Sequence, residues 1–407
     1  MKKLWLSLTA AAVLAGCQST PSHHPTHDSG QTVVMISLDG FRWDYIEKHG
    51  APNLADMARH GARAEQMRPA YPTKTFPNHL SIVTGLYPVH HGIVDNDFCD
   101  KDRGECYEMG DGGKDSTWLS GIPLWNLAEL NGLKAATYFW PESDAQYGGM
   151  TPSYYYHYSK HADYHQRVDQ IIDWLKLPKD KRPRFIAGYF SAVDSAGHRY
   201  GPNAPQTREA VHRVDAIIGE LRERLKTEVR GPVDLIVLAD HGMTPIDPAQ
   251  GIDIAKLPLG PGFKAVNVST RLLVYAKPGT DALAIAKQKE KLKAVAAGRF
   301  VIRSLQELAE RHYVGSPRIA DIILETQAPR FFTDKPLDKR SDHGNHGYSY
   351  TKDMGALFVA EGPAFKEGVT IKPFDNVDVY PMVARILGIP LLSEIDGDIA
   401  PLLPALK

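Results

Sequence analysis

Five apolar runs that lack polar alternation constrain this chain most: Thr32 to Leu38, Lys134 to Phe139, Arg184 to Phe190, Val233 to Ala239 and Gly355 to Ala360. A strand with one wet face alternates polar and apolar residues, so an uninterrupted run predicts burial on both faces, as in a sheet covered by helices on each side. The segments between them carry helical periodicity. In Gln206 to Lys226 the set Val211, Val214, Ile217, Ile218, Leu221 and Leu225 follows the i, i+3, i+4 rule. The pattern predicts an α/β fold with a mostly parallel central sheet flanked by helices. With 407 residues, 43% of them apolar, there is ample material for a large core. A formal net charge of -1, with no polybasic segment, excludes bulk nucleic acid as a partner.

Residues 250–340 read differently. A strand-like Arg271 to Tyr275, a helix-like Thr280 to Ala297 and a second strand at Ile319 to Thr326 lie between the loop-like Gly260-Pro261-Gly262 and Asp338-Lys339-Arg340-Ser341. This predicts a small inserted α/β cap, placed to shape a substrate entrance, which divides the main domain into 31–249 and 341–407.

Chemistry-bearing residues stand where those runs end. Asp39 precedes Gly40 after the first run, and Asp240-His241-Gly242 repeats the arrangement after Val233 to Ala239. An isolated Asp-Gly is ordinarily a turn. Asp194 and His198 lie four apart after the third run, close enough to reach one ion from a single helical turn or tight loop. His343 and His346 compete within Asp342-His343-Gly344-Asn345-His346-Gly347-Tyr348. In open α/β sheets such groups gather outside the carboxyl ends of the strands. Carboxylates and imidazoles without thiolate suit zinc and, less well, manganese. So many ligands suit two ions, which together can stabilise the attacking and leaving oxygens of a displacement at phosphorus.

Thr75 stands in Tyr71-Pro72-Thr73-Lys74-Thr75-Phe76-Pro77-Asn78-His79, ahead of the helical pattern Leu80, Ile82, Val83. Pro77 suits an early helical position. The threonine is then either a simple N-cap or a hydroxyl placed where backbone donors and the helix dipole favour a phosphate.

Together, Leu38-Asp39-Gly40-Phe41-Arg42, Thr75-Phe76-Pro77-Asn78-His79, Phe139-Trp140-Pro141, Asp194-Ser195-Ala196-Gly197-His198, Asp240-His241-Gly242-Met243 and His346-Gly347-Tyr348 resemble, in order and spacing, the nucleotide pyrophosphatase/phosphodiesterase family of the alkaline phosphatase superfamily. The resemblance runs from about Val33 to Leu387. It implies an alkaline-phosphatase-like fold, with Asp194, His198 and His346 on one zinc and Asp39, Thr75, Asp240 and His241 on the other. It further implies that Thr75 attacks phosphorus to give a phosphothreonine intermediate, that Asn96 binds a non-bridging phosphate oxygen, and that Phe76 and Tyr189 sandwich a nucleobase, with Tyr158 bordering the pocket. The implied reaction hydrolyses nucleotide phosphodiester or pyrophosphate bonds and releases a nucleoside 5'-monophosphate. Relatives acting on choline-type or lysophospholipid diesters supply an alternative substrate class, because aromatic walls also attract quaternary ammonium groups. A binding lipoprotein without catalysis is a third reading, against which stands the full set of ligands. Ser349 follows Tyr348 where many relatives carry Asp.

The first 16 residues, with Lys2, Lys3 and the apolar Leu4 to Leu14, have the layout of a secretory signal. Leu14-Ala15-Gly16-Cys17 resembles a bacterial lipobox, which predicts a lipid on Cys17, a tether over 17–30, and an exported protein facing the periplasm or cell surface. A plain signal peptide cut elsewhere is the alternative. Cys99 and Cys106 then remain as a pair that an exported chain would join in a disulfide, or keep as two thiols.

Overall fold

The computed structural model describes residues 29–334 and 342–407. The signal segment, Cys17 with most of its tether, and the flank Asp338 to Ser341 lie outside the described residues.

The central strand Thr32–Leu38 pairs in parallel with Phe185–Phe190 on one side and Val233–Leu238 on the other. All seven of its residues are buried, as an unbroken apolar run requires. The eight-stranded sheet runs Val369–Ile371, Ala62–Ala64, Phe358–Glu361, Val233–Leu238, Thr32–Leu38, Phe185–Phe190, Ala135–Tyr138, Tyr154–Tyr156. Phe358–Glu361 is antiparallel to both neighbours and is the one reversed strand in that sheet. It starts later than the apolar run suggests, because Trp43 donates to the Gly355 carbonyl and Ala356 exchanges hydrogen bonds with Met67. Three strands escaped the sequence pattern. Ala62–Ala64 and Val369–Ile371 are too short for any period to register. Tyr154–Tyr156, for which a crowded polar turn had equal standing, is instead an edge strand parallel to Ala135–Tyr138, where tyrosines fit a half-covered pleat.

The helix Pro205–Glu228 buries Val211, Val214, Ile217, Ile218 and Leu221 on the predicted stripe. It also carries the buried Asp215, whose carboxylate accepts the Asn53 and Leu54 N–H groups at 3.1 and 2.9 Å. These are orphan donors of the helix Pro52–Arg59, whose own N-cap, Ala51, has no side chain to satisfy them.

A separate antiparallel sheet, in the order Phe263–Asn267, Arg271–Ala276, Ile322–Glu325, Val301–Ile302, occupies part of 250–340. One face, with Leu272, Val274, Ile322 and Leu324, packs with Leu292 of the helix Ala282–Ala294 into its own apolar cluster. The alternate residues Leu273, Tyr275 and Ile323 join the main core, so the pleat fastens this sheet to the rest of the molecule. Cys99 and Cys106 are disulfide-bonded across the hairpin formed by Phe98–Asp100 and Glu105–Tyr107, which settles the choice against free thiols. Among the described residues no helix is long and apolar enough to cross a membrane.

Asp215→Ala removes the shared cap of the Pro52–Arg59 helix and is expected to destabilise the fold by about 1–3 kcal/mol. Urea denaturation should show a lower midpoint at unchanged slope.

Candidate active site

The seven residues singled out at strand ends and helix starts meet at the carboxyl edge of the central sheet. Asp39 and Asp240 follow the adjacent strands Thr32–Leu38 and Val233–Leu238, and Gly40 N–H donates to Asp240 Oδ1 at 3.2 Å. Asp194 and His198 lie one turn apart on the helix Ala192–Tyr200, and Asp194 N–H donates to the Asp39 carbonyl at 3.0 Å. A Cβ on Gly40, whose φ is +70°, would stand 2.9 Å from Asp194 Cα, so glycine is required where these two loops approach. Antiparallel pairing of Thr244 with Asn345 brings His346 to His241, and their rings stack with centroids 3.5 Å apart.

Each of the three histidines has its Nδ1 against a backbone carbonyl: His198 on Gly344 at 3.0 Å, His241 on Gly242 at 2.9 Å and His346 on Thr73 at 2.9 Å. A carbonyl can only accept, so Nδ1 carries the proton and, in the neutral ring, Nε2 presents its lone pair inward. Those Nε2 atoms face carboxylate oxygens: His241 lies 2.9 Å from Asp240 Oδ2 and 3.4 Å from Asp39 Oδ1, and His198 lies 3.3 Å from Asp194 Oδ1. The same three oxygens are buried and lack any hydrogen-bond donor. Lone pairs facing lone pairs in a buried site is the donor set a divalent cation fits. Burial, and then the charges of Asp240 and Asp194, push the Asp39 carboxyl far above its usual range. Burial drives His346 well below the ordinary imidazole value, which keeps it neutral.

Ligand atoms of Asp39, Asp240 and His241 lie within 4.8 Å of one another, as do those of Asp194, His241 and His346. His241 therefore reaches both groups, whereas the family pattern assigns it to one. His343 engages through its backbone, donating to the His198 carbonyl and accepting from Ile246 N–H.

Thr75 is the first residue of the helix Thr75–Thr84, and Lys74 holds the N-cap position, so Thr75 is not the cap. Its hydroxyl instead donates to His241 Nε2 at 3.2 Å. Phe76 N–H donates to Asn96 Oδ1 at 3.0 Å, which fixes Asn96 beside the helix start. Burial lowers Lys74 to about 8, against the pull of Asp95. From the sequence, Lys74 alone is thin evidence for the positive clamp that a phosphomonoester dianion would call for.

A cleft of about 510 Å³ opens over Thr75, Asn96 and Asp194, walled by Phe76, Tyr158 and Tyr189 among others. Tyr189 is 8% exposed, stands edge-on to His79, and donates its hydroxyl to Asp39 Oδ2 at 2.5 Å. Tyr158, 56% exposed, presents the open ring. Ser349 bonds the buried Glu325 at 2.5 Å, a contact that an aspartate would replace with repulsion.

Glu142 is a site residue that no motif announces. It lines the far wall at a φ of +60°, unusual for a residue with a side chain, and accepts hydrogen bonds from Tyr107 OH and Gly112 N–H, so it ties the wall loop Met109–Gly110 to Trp140-Pro141. Burial, with Asp144 adding, raises its carboxyl from 4.5 to about 7. Between those values the unfolded chain has released the proton and the folded chain retains it, so stability falls as pH rises through that window. Glu142→Gln keeps the acceptor without the charge. Its melting temperature should exceed that of the unsubstituted protein at about pH 8, and the advantage should vanish at about pH 4; a pH-independent gap would refute this.

The family model described as type I phosphodiesterase / nucleotide pyrophosphatase matches residues 33–349, and the chain belongs to that family. It is 34% identical over 375 residues to ectonucleotide pyrophosphatase/phosphodiesterase family member 3 of Rattus norvegicus, covering 88% of this chain and 42% of the relative. It is 33% identical over 386 residues to a venom phosphodiesterase of Naja atra, covering 91% and 46%. The chain thus spans about half the length of the curated relatives it matches. Human ectonucleotide pyrophosphatase / phosphodiesterase 5 superposes with a TM-score of 0.85 at 26% identity, over 93% of this chain and 100% of that one. The murine protein, as an inactive threonine-to-alanine variant solved with AMP, gives 0.83 over the same shares. The alkaline-phosphatase-like fold inferred from the motifs is therefore the fold observed.

Proposed function

We propose that this protein is a metal-dependent phosphodiesterase that hydrolyses nucleotide phosphodiester or pyrophosphate bonds and releases nucleoside 5'-monophosphate. The observation that carries the reading is the Thr75 hydroxyl at a helix N-terminus, 3.2 Å from a histidine nitrogen that belongs to the carboxylate-imidazole cluster. Asp194, His198 and His346 would hold one zinc, and Asp39, Asp240 and His241 with Thr75 the other. Bound there, the ions would lower the hydroxyl's pKa and offset charge on the leaving oxygen.

Thr75 Oγ forms the new bond to phosphorus while the bond to the leaving oxygen breaks. Water then cleaves the phosphothreonine ester, which restores the hydroxyl and frees the monophosphate. Asn96, oriented by Phe76 N–H, offers its amide protons to a non-bridging oxygen. Tyr189 holds Asp39 in place. The rings of Phe76 and Tyr189 would sandwich the base, a mode that tolerates any base, with the exposed Tyr158 bordering the pocket. The same aromatic rim, with Asp144 on the wall, also suits a quaternary ammonium group, which keeps choline-type diesters as the second reading. Export as a lipoprotein anchored through Cys17 completes the proposal. The Cys99–Cys106 bond supports its exported half, since disulfides persist in oxidising compartments.

Thr75→Ala should retain the metal content measured by elemental analysis yet lose turnover of bis-(p-nitrophenyl) phosphate by about 10³-fold or more. Wild-type turnover in that variant would end the nucleophile assignment. Tyr158→Ala should raise KM for a dinucleotide with little change in kcat; if it alters glycerophosphocholine hydrolysis and leaves the dinucleotide untouched, the choline reading replaces the nucleotide one.

A further inference from the structure

No residue of 250–334 lines the cleft, so the expectation that this segment shapes the substrate entrance finds no support in its placement among the described residues. Its small sheet reaches the site from behind. Arg271, the first residue of Arg271–Ala276, forms an ion pair with Asp95 in which both side chains are fully buried. The guanidinium also lies over the Tyr71 ring, 5.1 Å from its centroid, just ahead of the Thr75 segment. The other oxygen of Asp95 accepts the Asn96 N–H at 2.8 Å, and Asn96 Oδ1 accepts the Phe76 N–H at 3.0 Å. An unbroken chain of polar contacts, fully buried at Arg271 and Asp95 and half-buried at Asn96, thus runs from the small sheet to the helix that carries Thr75.

The same turn braces the opposite side of the site. Thr270 donates to the Gly347 carbonyl at 2.8 Å, and Ser269 accepts from Asn345 at 2.8 Å, on either side of His346. Loops that hold reacting groups lose precision unless a supporting shell locks them. A buried guanidinium suits that task as the counter-charge of Asp95, which it meets through Nη2 alone in a charge-assisted hydrogen bond.

We propose that Arg271 is a positioning residue: through Asp95 it sets where Asn96 stands beside Thr75, so the small sheet controls turnover from the rear of the site rather than from the cleft mouth. This rests on the reading of Asn96 as the group that binds a phosphate oxygen. Without Arg271, Asp95 is a buried carboxylate lacking its principal cation, and it takes a proton or turns toward Lys74. Either response loosens the contact that orients Asn96.

The test is a double-mutant cycle between Arg271→Met and Asn96→Ala, read as kcat and KM for bis-(p-nitrophenyl) phosphate together with melting temperature. Arg271→Met is expected to lower kcat about 10- to 100-fold with little change in KM, because a small misplacement of a group acting in the transition state has effects of that order. Arg271→Lys should recover part of the loss, and in the Asn96→Ala background Arg271→Met should cause no further fall. Losses that multiply, or wild-type kcat in folded Arg271→Met, overturn the proposal while leaving the reading of Asn96 intact. Wild-type turnover in Asn96→Ala alone overturns that reading and the proposal with it. If Arg271→Met does not fold, Asp95→Asn, which keeps an oxygen for the Asn96 N–H and removes the charge that Arg271 meets, carries the same cycle with the same outcomes.

Discussion

Three carboxylates within reach of one another, Asp39 and Asp240 buried and Asp194 half-buried with its Oδ1 enclosed, are the constraint on which the rest of the structure turns. Burial, and then the like charges of Asp240 and Asp194, push the Asp39 carboxyl far above its usual range. Nothing in the packing of the core calls for such a cluster. Three imidazoles, each fixed by a hydrogen bond from Nδ1 to the backbone, turn further lone pairs toward the same oxygens rather than donors that would satisfy them. Carboxylates and imidazoles in that relation are a donor set that fits a cation, and a well-packed apolar substitute would serve stability better.

Delivering those groups to one place is the work of the parallel sheet. Adjacent strands running the same way end on the same edge, so Asp39 and Asp240, remote in sequence, become neighbours, and the Gly40 N–H bond to Asp240 Oδ1 joins the two ends. The remaining pieces are joined by short polar locks. Thr73 shows this best: its carbonyl accepts from His346, its hydroxyl donates to the Tyr348 carbonyl at 3.0 Å, and that same oxygen accepts the Gly347 N–H at 2.9 Å. One residue therefore binds the segment leading into Thr75 to the segment carrying His346. Neither can shift alone.

The strand ends were legible in the sequence because burial on both faces leaves an unbroken apolar run, and a carboxylate or imidazole directly after it has little structural reason to be there. Asp39, Asp194, His198, Asp240 and His241 stood beyond such runs, although an isolated Asp-Gly is ordinarily a turn, whereas His346 lies ahead of the fifth run and only the family resemblance preferred it to His343. Thr75 needed more, since a threonine ahead of a helix is ordinarily a cap; only coordinates show Lys74 in the cap position and the hydroxyl turned to His241. Tyr189 could be placed at a strand end, but whether a tyrosine offers its face or its hydroxyl depends on what surrounds it. Glu142 and Arg271 were invisible for a related reason. A buried charge is identified by its partner, and Tyr107 and Asp95 lie 35 and 176 residues away with no pattern linking them.

Chemistry and selection occupy different parts of this architecture. The cluster around Thr75 is made from strand ends and helix starts in the middle of the sheet, where every neighbour is packed and a substitution propagates. The far wall of the cleft is made from the edge strand Tyr154–Tyr156 with Tyr158 beyond it, and from the loop after the disulfide-bonded hairpin, held by Glu142. Edge elements and loops accept replacement with less disturbance to the core. Under the phosphodiesterase reading, the phosphate end of the substrate is therefore fixed by the fold, whereas the group attached to it is chosen by a wall that can change independently. Under that reading, two substrate classes that share a phosphodiester and differ in what hangs from it can be served by one scaffold, because the wall that meets that group, with Tyr158, Asp144 and Glu142, is distinct from the carboxylate-imidazole cluster.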